Sequence, residues 1–280
     1  MTTLRQLMTD NLELRGLAQT TINDYIRQVE GLATYYGKSP SRLGEADVRA
    51  YLLYLKKERK LASSSINKAR CAIKFLYEDT LDNFRIMRNI PKTKPSRVRL
   101  PLVLGKAEIK ALFGQVSNLK YLAILQLIYS SGLRISEAAN LRISDIDSNS
   151  MRVHVRHGKG AKERFTKLSK TALDTLRRYW NVYRPQEILF PGQKPSIPIH
   201  PASIARVFKR AKTKAGIQKP ATVHTLRHSF ASHLLDQDEK LATIQTLLGH
   251  NSIQSTAIYL HVSPSTFDRV ISPLDSDDFQ

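Results

Sequence analysis

Apolar positions in the first third of the chain recur at helical spacing. In "TTINDYIRQVEGLATYY", Ile22, Ile26, Val29 and Ala33 fall three and four residues apart. In "SSSINKARCAIKFLYEDTL", Ile66, Ala69, Ile73 and Leu76 do the same. Residues so spaced share one face of a helix, and that face must find a partner surface. Thr20 or Thr21, and the serines that open the second stretch, stand where N-caps are expected. With "EADVRAYLLYLKKERK" between them, residues 1–90 are expected to form a small all-helical domain.

The pattern then breaks. "NIPKTKPSRVRLP" holds Pro91, Pro95 and Pro101, which forbid a continuous helix, and it carries Lys92, Lys94, Arg97 and Arg99 with no acid. An extended basic linker over residues 91–101 is the reading, with residues 102–280 as a second domain. A loose surface loop fits the same residues.

The second domain mixes two periods. "GKAEIKALF" and the largely apolar "LKYLAILQLIYSSG" predict helices, the latter buried, and "SEAANLRISDI" predicts a short helix and a turn. "MRVHVRHGKGAKERFTKL" alternates instead: Met151, Val153 and Val155 on one side, Arg152, His154 and Arg156 on the other. That is strand periodicity; two glycines supply a turn, and "RFTKL" returns as a second strand. Residues beyond 170 read mostly as helices. The fold class expected is mainly α with a small β-hairpin (α+β), without internal repeats.

Charge narrows the function classes. The formal net charge is +20 and the isoelectric point about 10.1, a surplus that attracts polyanions, nucleic acid first among them. Residues 1–90 carry 15 Lys/Arg and 10 Asp/Glu, so most of the surplus lies in the second domain. There "SIARVFKRAKTKAGI" holds Arg206, Lys209, Arg210, Lys212 and Lys214 without an acid. This run, Arg97 and Arg99 of the linker, and Lys162 and Arg164 of the hairpin are candidate DNA-phosphate contacts; a solvated basic face is the plainer alternative. The longest apolar run, "YLAILQLIY", is too short to span a bilayer, and no membrane role is expected. Cys71 is the one cysteine, so no internal disulfide can form, which fits a reducing cytoplasmic setting.

Chemistry-bearing residues accumulate toward the C-terminus. Arg134 follows a glycine and the apolar helix, where a guanidinium needs an anion, either a bound one or Glu137 three residues on. "HTLRHSF" sets His224 and Arg227 at i and i+3 and His224 and His228 at i and i+4. The second spacing suits zinc, but the helix offers no acid before Asp236, and a packed helical histidine is the commoner outcome. "LLGHNSIQSTAIYLH" adds His250 and, nine residues on, Tyr259. Two arginines, a lysine, imidazoles and a phenol, with neither paired carboxylates nor a phosphate-binding glycine loop, suit a phosphodiester. Guanidinium forks match its oxygens, lysine or histidine can protonate a leaving oxygen, and tyrosine can attack and keep the phosphate covalently. The bond energy is then stored, and the strand can be rejoined without ATP.

These segments together resemble the tyrosine recombinases of the Xer/integrase family. "LAQTTINDYIRQVEGLATYYG" and "LASSSINKARCAIKFLYEDTL" resemble its helical core-binding domain. "SGLRISEAANLRISDID", "GKGAKER", "LFPG", "HTLRHSFASHLL" and "LLGHNSIQSTAIYLHV" resemble its catalytic domain. The resemblance covers nearly the whole chain. By position it makes Arg134, Lys159, His224, Arg227, His250 and Tyr259 the catalytic set, with Glu137 orienting Arg134 or its helix. It implies that Arg134 and Arg227 clamp the scissile phosphate and that Lys159 protonates the 5′ oxygen. It further gives His224 a part in proton transfer at the tyrosine, and sets His250 on the phosphate.

The same resemblance implies a C-shaped clamp of two domains on double-stranded DNA with an inverted-repeat core site. It implies a homotetramer whose C-terminal tails dock on neighbouring protomers, a 3′-phosphotyrosyl intermediate, a Holliday junction, and no metal or cofactor. Phe267, Val270, Ile271 and Leu274 are the tail's apolar docking residues. The chain begins with helices of the core-binding type, so no arm-binding domain is expected. The acidic tail (Asp275, Asp277, Asp278) sits less well with chromosome-dimer resolution than with a mobile element. Three other readings stand beside this one: a type IB topoisomerase, a DNA-binding protein without catalysis, and a zinc hydrolase using His224 and His228.

Overall fold

The computed structural model describes residues 3–94, 101–156, 163–250 and 252–260. The chain divides into two compact units, Met1–Arg99 and Leu100–Gln280.

Helices α1 (Thr3–Leu14), α2 (Gln19–Tyr36), α3 (Glu45–Lys57), α4 (Ser63–Lys74) and the short α5 (Arg85–Arg88) build the first unit. The face predicted for α4 is buried throughout: Ile66, Ala69 and Ile73, continued by Leu76. On α2, Ile22, Ile26 and Val29 are buried as expected, but Leu32 takes the fourth core position and Ala33 is half-buried. A helix advances 100° per residue, so either residue lies near the stripe and the larger side chain wins the contact. The expected caps do not form. The N-caps are Ala18 and Ala62, with Thr20, Thr21 and Ser63–Ser65 inside the helices. After α4 the turns widen to a π-helical segment, Phe75–Thr80, and the buried Tyr77 donates to the Pro40 carbonyl at 2.8 Å.

The start of the basic segment is strapped to this unit. Arg70 donates through Nε and Nη2 to the Ile90 carbonyl, and Asn67 pairs with both backbone groups of Thr93 at 2.9 Å. Arg97 and Arg99 lie outside the described residues.

In the second unit, α6 (Lys106–Gly114) leads to α7 (Leu119–Ser131), whose Ala123, Ile124, Leu125, Leu127 and Ile128 are all fully buried. Around α7 pack α9 (Lys170–Tyr183), α10 (Pro201–Lys214) and α11 (Val223–Leu235). The short α8 (Ile135–Ala139), α12 (Leu241–Leu248) and α13 (Gln254–Ala257) complete its helices among the described residues. The alternating stretch forms β2 (Arg152–Val155) and β3 (Arg164–Lys167), paired antiparallel with Val153 opposite Thr166. Val153 and Val155 are buried, while on the opposite side His154 stacks on the exposed Phe165 at 4.6 Å. A two-residue strand, β1 (Ile146–Asp147), extends the hairpin to a sheet of order β1-β2-β3; it is too short to leave an alternation in the sequence. Among the described residues no helix is long and apolar enough to cross a membrane.

Candidate active site

The site is assembled from four places in the second unit. Gly132 ends α7 with φ of +62°, a left-handed conformation that spares glycine the penalty other residues meet. The turn makes Arg134 the N-cap of α8, where Glu137 accepts from the Arg134 backbone N–H and from its Nη1, both at 2.7 Å. Glu137 is 6% exposed and binds a second guanidinium by a fork: Arg164 Nη1 and Nη2 donate to its two oxygens at 2.9 and 2.8 Å. Burial raises the carboxyl's pKa, but Arg164 and Arg134 outweigh it and hold the group down at about 2.

Arg227 on α11 is 1% exposed. Its Nη1 donates to the Gly132 carbonyl at 2.5 Å and its Nη2 to the Leu248 carbonyl at 2.7 Å. Arg164 Nε takes the neighbouring Leu247 carbonyl at 2.9 Å. Two guanidiniums thus satisfy the last carbonyls of α12, where the helix dipole also favours cations. Burial and the nearby Arg134 lower the Arg227 pKa to about 10, still well above neutral pH. Gly249 then reverses the chain at φ of +63°, and a Cβ there would stand 2.7 Å from Arg164 Cδ.

The chain next delivers His250 and, through α13, Tyr259. His250 Nδ1 pairs with the Thr256 hydroxyl at 2.9 Å, and its ring lies nearly parallel to that of Tyr259 at 6.4 Å. Tyr259 is 1% exposed, and its hydroxyl meets Nδ1 of His228 at 2.9 Å. His224 stands edge-on to His228 at 4.5 Å. Burial lowers the pKa of all three imidazoles, reinforced for His224 and His250 by Arg227 and for His228 by His224 and then Arg227; His228 and His250 fall to about 4. Burial raises the Tyr259 phenol, with Arg227 and Arg134 pulling the other way. At neutral pH the site therefore holds a charged Arg227, a protonated Tyr259 phenol and neutral imidazoles.

Arg134, Glu137, His224, Arg227, His250 and Tyr259 are thus gathered in one place, although they span 126 residues of sequence. Lys159 and Lys162 lie outside the described residues. Arg206, Lys209 and Arg210 are exposed on α10, as a phosphate contact requires. Arg164 is not: the fork to Glu137 and the bond to Leu247 turn it inward, so it braces the site rather than reaching a phosphate. The sequence reads His228 either as a zinc partner of His224 or as a packed helical histidine. Its Nδ1 is instead engaged by Tyr259, and it is His228 rather than His224 that touches the phenol. The available signal was its i+4 step from His224; nothing local points to a tyrosine 31 residues away.

The packing makes Gly132 a sensitive position. A Cβ there would fall 2.5 Å from Phe230 Cδ1 and 2.8 Å from Leu248 Cδ2, on a backbone that disfavours it. Gly132→Ala is expected to cost about 2–4 kcal/mol and lower the thermal midpoint by roughly 5–15 °C, read by calorimetry.

Residues 103–266 match the model of the phage integrase family, and residues 4–84 match that of the phage integrase N-terminal SAM-like domain. A putative integrase/recombinase of Sinorhizobium fredii, y4qK, is 40% identical over 98% of this chain and 89% of its own. A tyrosine recombinase XerD of Rhizobium meliloti is 33% identical over 89% of this chain and 86% of its own. In fold, the chain is similar to the XerH site-specific recombinase bound to a palindromic difH substrate. That likeness has a TM-score of 0.76 at 21% identity and covers 99% of this chain and 86% of that one. A family model over more than half the chain, and a relative at 40% identity over 98% of it, place this protein in the phage integrase family of tyrosine recombinases, enzymes of site-specific DNA recombination.

Proposed function

We propose that Tyr259 is the nucleophile that cuts DNA and that the cut strand is held as a 3′-phosphotyrosyl ester until it is rejoined. The observation that carries this reading is the convergence of a buried phenol, two guanidiniums and neutral imidazoles from separate segments of the second unit. Arg134, with a quarter of its side chain exposed, presents its free nitrogens to a phosphate. Arg227, anchored on two carbonyls, stands behind it as a fixed positive charge. Such preorganised donors stabilise the charge that grows on the pentavalent phosphorus, about 3–4 kcal/mol for each. His250 has Nδ1 tied to Thr256 and keeps Nε2 for a phosphate oxygen. Lys159 protonates the leaving 5′ oxygen. His224 packs on His228, one ring removed from the phenol.

The wider reading follows the family. Two domains, 1–90 and 102–280, clamp double-stranded DNA through the basic residues, with Arg206, Lys209 and Arg210 on phosphates. Four protomers exchange strands pairwise at inverted-repeat sites through a Holliday junction, each docking its tail on a neighbour. The setting is the cytoplasm, and the substrate a mobile element or a replicon needing resolution.

Adduct capture tests this. The protein is expressed, denatured so that only covalent contacts survive, recovered, and its attached DNA sequenced. Adducts concentrated at one inverted-repeat sequence are expected. Adducts scattered along the genome would favour a topoisomerase, and DNA binding without adduct would remove the covalent step.

A further inference from the structure

Resting on Tyr259 as nucleophile, we infer that His228 is the base that takes the phenolic proton during cleavage and returns it during rejoining. The step balances: the Tyr259 oxygen bonds to phosphorus, the bond from phosphorus to the 5′ oxygen breaks, and the phenolic proton passes to His228 Nδ1. The 5′ oxygen leaves with a proton from Lys159. Rejoining runs the same transfers backward.

Geometry selects His228 among the imidazoles. Its Nδ1 lies 2.9 Å from the Tyr259 oxygen, within the reach a general base needs. His250 lies parallel to the Tyr259 ring and has committed Nδ1 to Thr256. His224 meets the edge of His228 and makes no hydrogen bond to the phenol among the described residues. Tyr259 is 1% exposed, so water is a poor substitute for the acceptor. The neutral ring accepts at Nδ1 when its proton sits on Nε2.

Electrostatics keeps the proton on the phenol in the free protein. Burial holds the imidazole acidic and the phenol basic, so in the free protein the proton stays on oxygen. Among the described residues, His224 and Arg227 on its own helix, and Tyr259 and His250 from the later segment, are the titratable and charged groups around the ring. A phosphodiester set against Arg134 and Arg227 brings negative charge to this spot. It offsets the cations that depress the imidazole and raises its basicity as the oxygen begins to bond.

The test compares single-turnover cleavage of a nicked duplex carrying the sequence recovered by adduct capture. His228→Asn is the informative variant, because an amide oxygen placed near Nδ1 accepts the hydrogen bond but cannot take the proton. It should bind the duplex as wild type does and cleave about 100-fold or more slowly. Both proteins are then prepared with 3,5-difluorotyrosine at position 259, a more acidic phenol that needs less help. The ratio of wild-type to H228N rates should shrink at least tenfold. Cleavage by H228N within threefold of wild type overturns the inference, as does a slow variant whose ratio the fluorinated phenol leaves unchanged. If H228N does not fold, nitrogen-15 spectra of histidine-labelled wild-type protein decide: Nδ1 of His228 must be unprotonated and shift in Tyr259→Phe. A proton on Nδ1 overturns the inference. Wild-type protein that forms no adduct on any duplex would instead count against Tyr259 as nucleophile, so the two failures are distinct.

Discussion

Tyr259→Phe is expected to fold, to bind DNA with wild-type affinity, and to form no covalent adduct at all. The substitution removes one oxygen. The ring keeps its packing with Phe230, Ile244 and Leu248, the small core that closes over α11 and α12. What is lost locally is the hydrogen bond to His228, which leaves a half-buried ring nitrogen without its partner, at about 1–3 kcal/mol. The larger core around α7 has no buried residue in common with that small cluster, and Tyr129 packs against both. Because Tyr259→Phe removes no charge, gel-shift titration at fixed salt should superimpose on wild type. Gel electrophoresis under denaturing conditions should show the slow-migrating protein–DNA band in wild type and its absence in the variant. A band that persists would place the nucleophile elsewhere.

How far the sequence reached depends on what kind of contact fixes each feature. The α4 face, and three of the four positions read on α2, follow from periodicity because burial of an amphipathic helix is set by local spacing. The β2–β3 pair was legible for the same reason at period two. Helix starts were not, because alanine precedes Gln19 and Ser63 in extended backbone and tertiary packing settles where the first turn begins. At the site, residue types and the family resemblance singled out Arg134, His224, Arg227, His250 and Tyr259, which the fold gathers, but their partners left no such signal. Arg164 looks like one more basic residue of a hairpin. Only the folded chain shows that Glu137, 27 residues earlier, claims its guanidinium. The same holds for His228, whose partner lies 31 residues further along the chain. Residue type signals the chemistry; the pairing that tunes it is long-range and leaves no local pattern.

Glu137 carries the other large effect. It is the acid that neutralises the arginine cluster: 2.7 Å from Arg134, forked to Arg164, and 3.8 Å from Arg227. Glu137→Gln keeps the shape and removes the charge, leaving buried guanidiniums facing one another. Breaking a buried ion pair from one side costs about 3–5 kcal/mol. Trp180, the one tryptophan, lies in the second unit and reports its unfolding. Denaturant titrations followed by its fluorescence should show the midpoint fall sharply in the variant. The pH dependence has a definite sign. The carboxyl sits at about 2 in the folded protein against 4.5 for the free group, so its stabilisation is complete above that free value. It is lost as pH falls through the window from 4.5 to about 2, where a shift of this size corresponds to about 3 kcal/mol. Wild type should lose stability across that window more steeply than Glu137→Gln, and the two curves should converge on the acid side. Other carboxylates titrate in both proteins alike, so the difference between the curves isolates Glu137. Parallel curves would mean that the arginines are held by their carbonyl bonds to Gly132, Leu247 and Leu248, with the carboxylate contributing little.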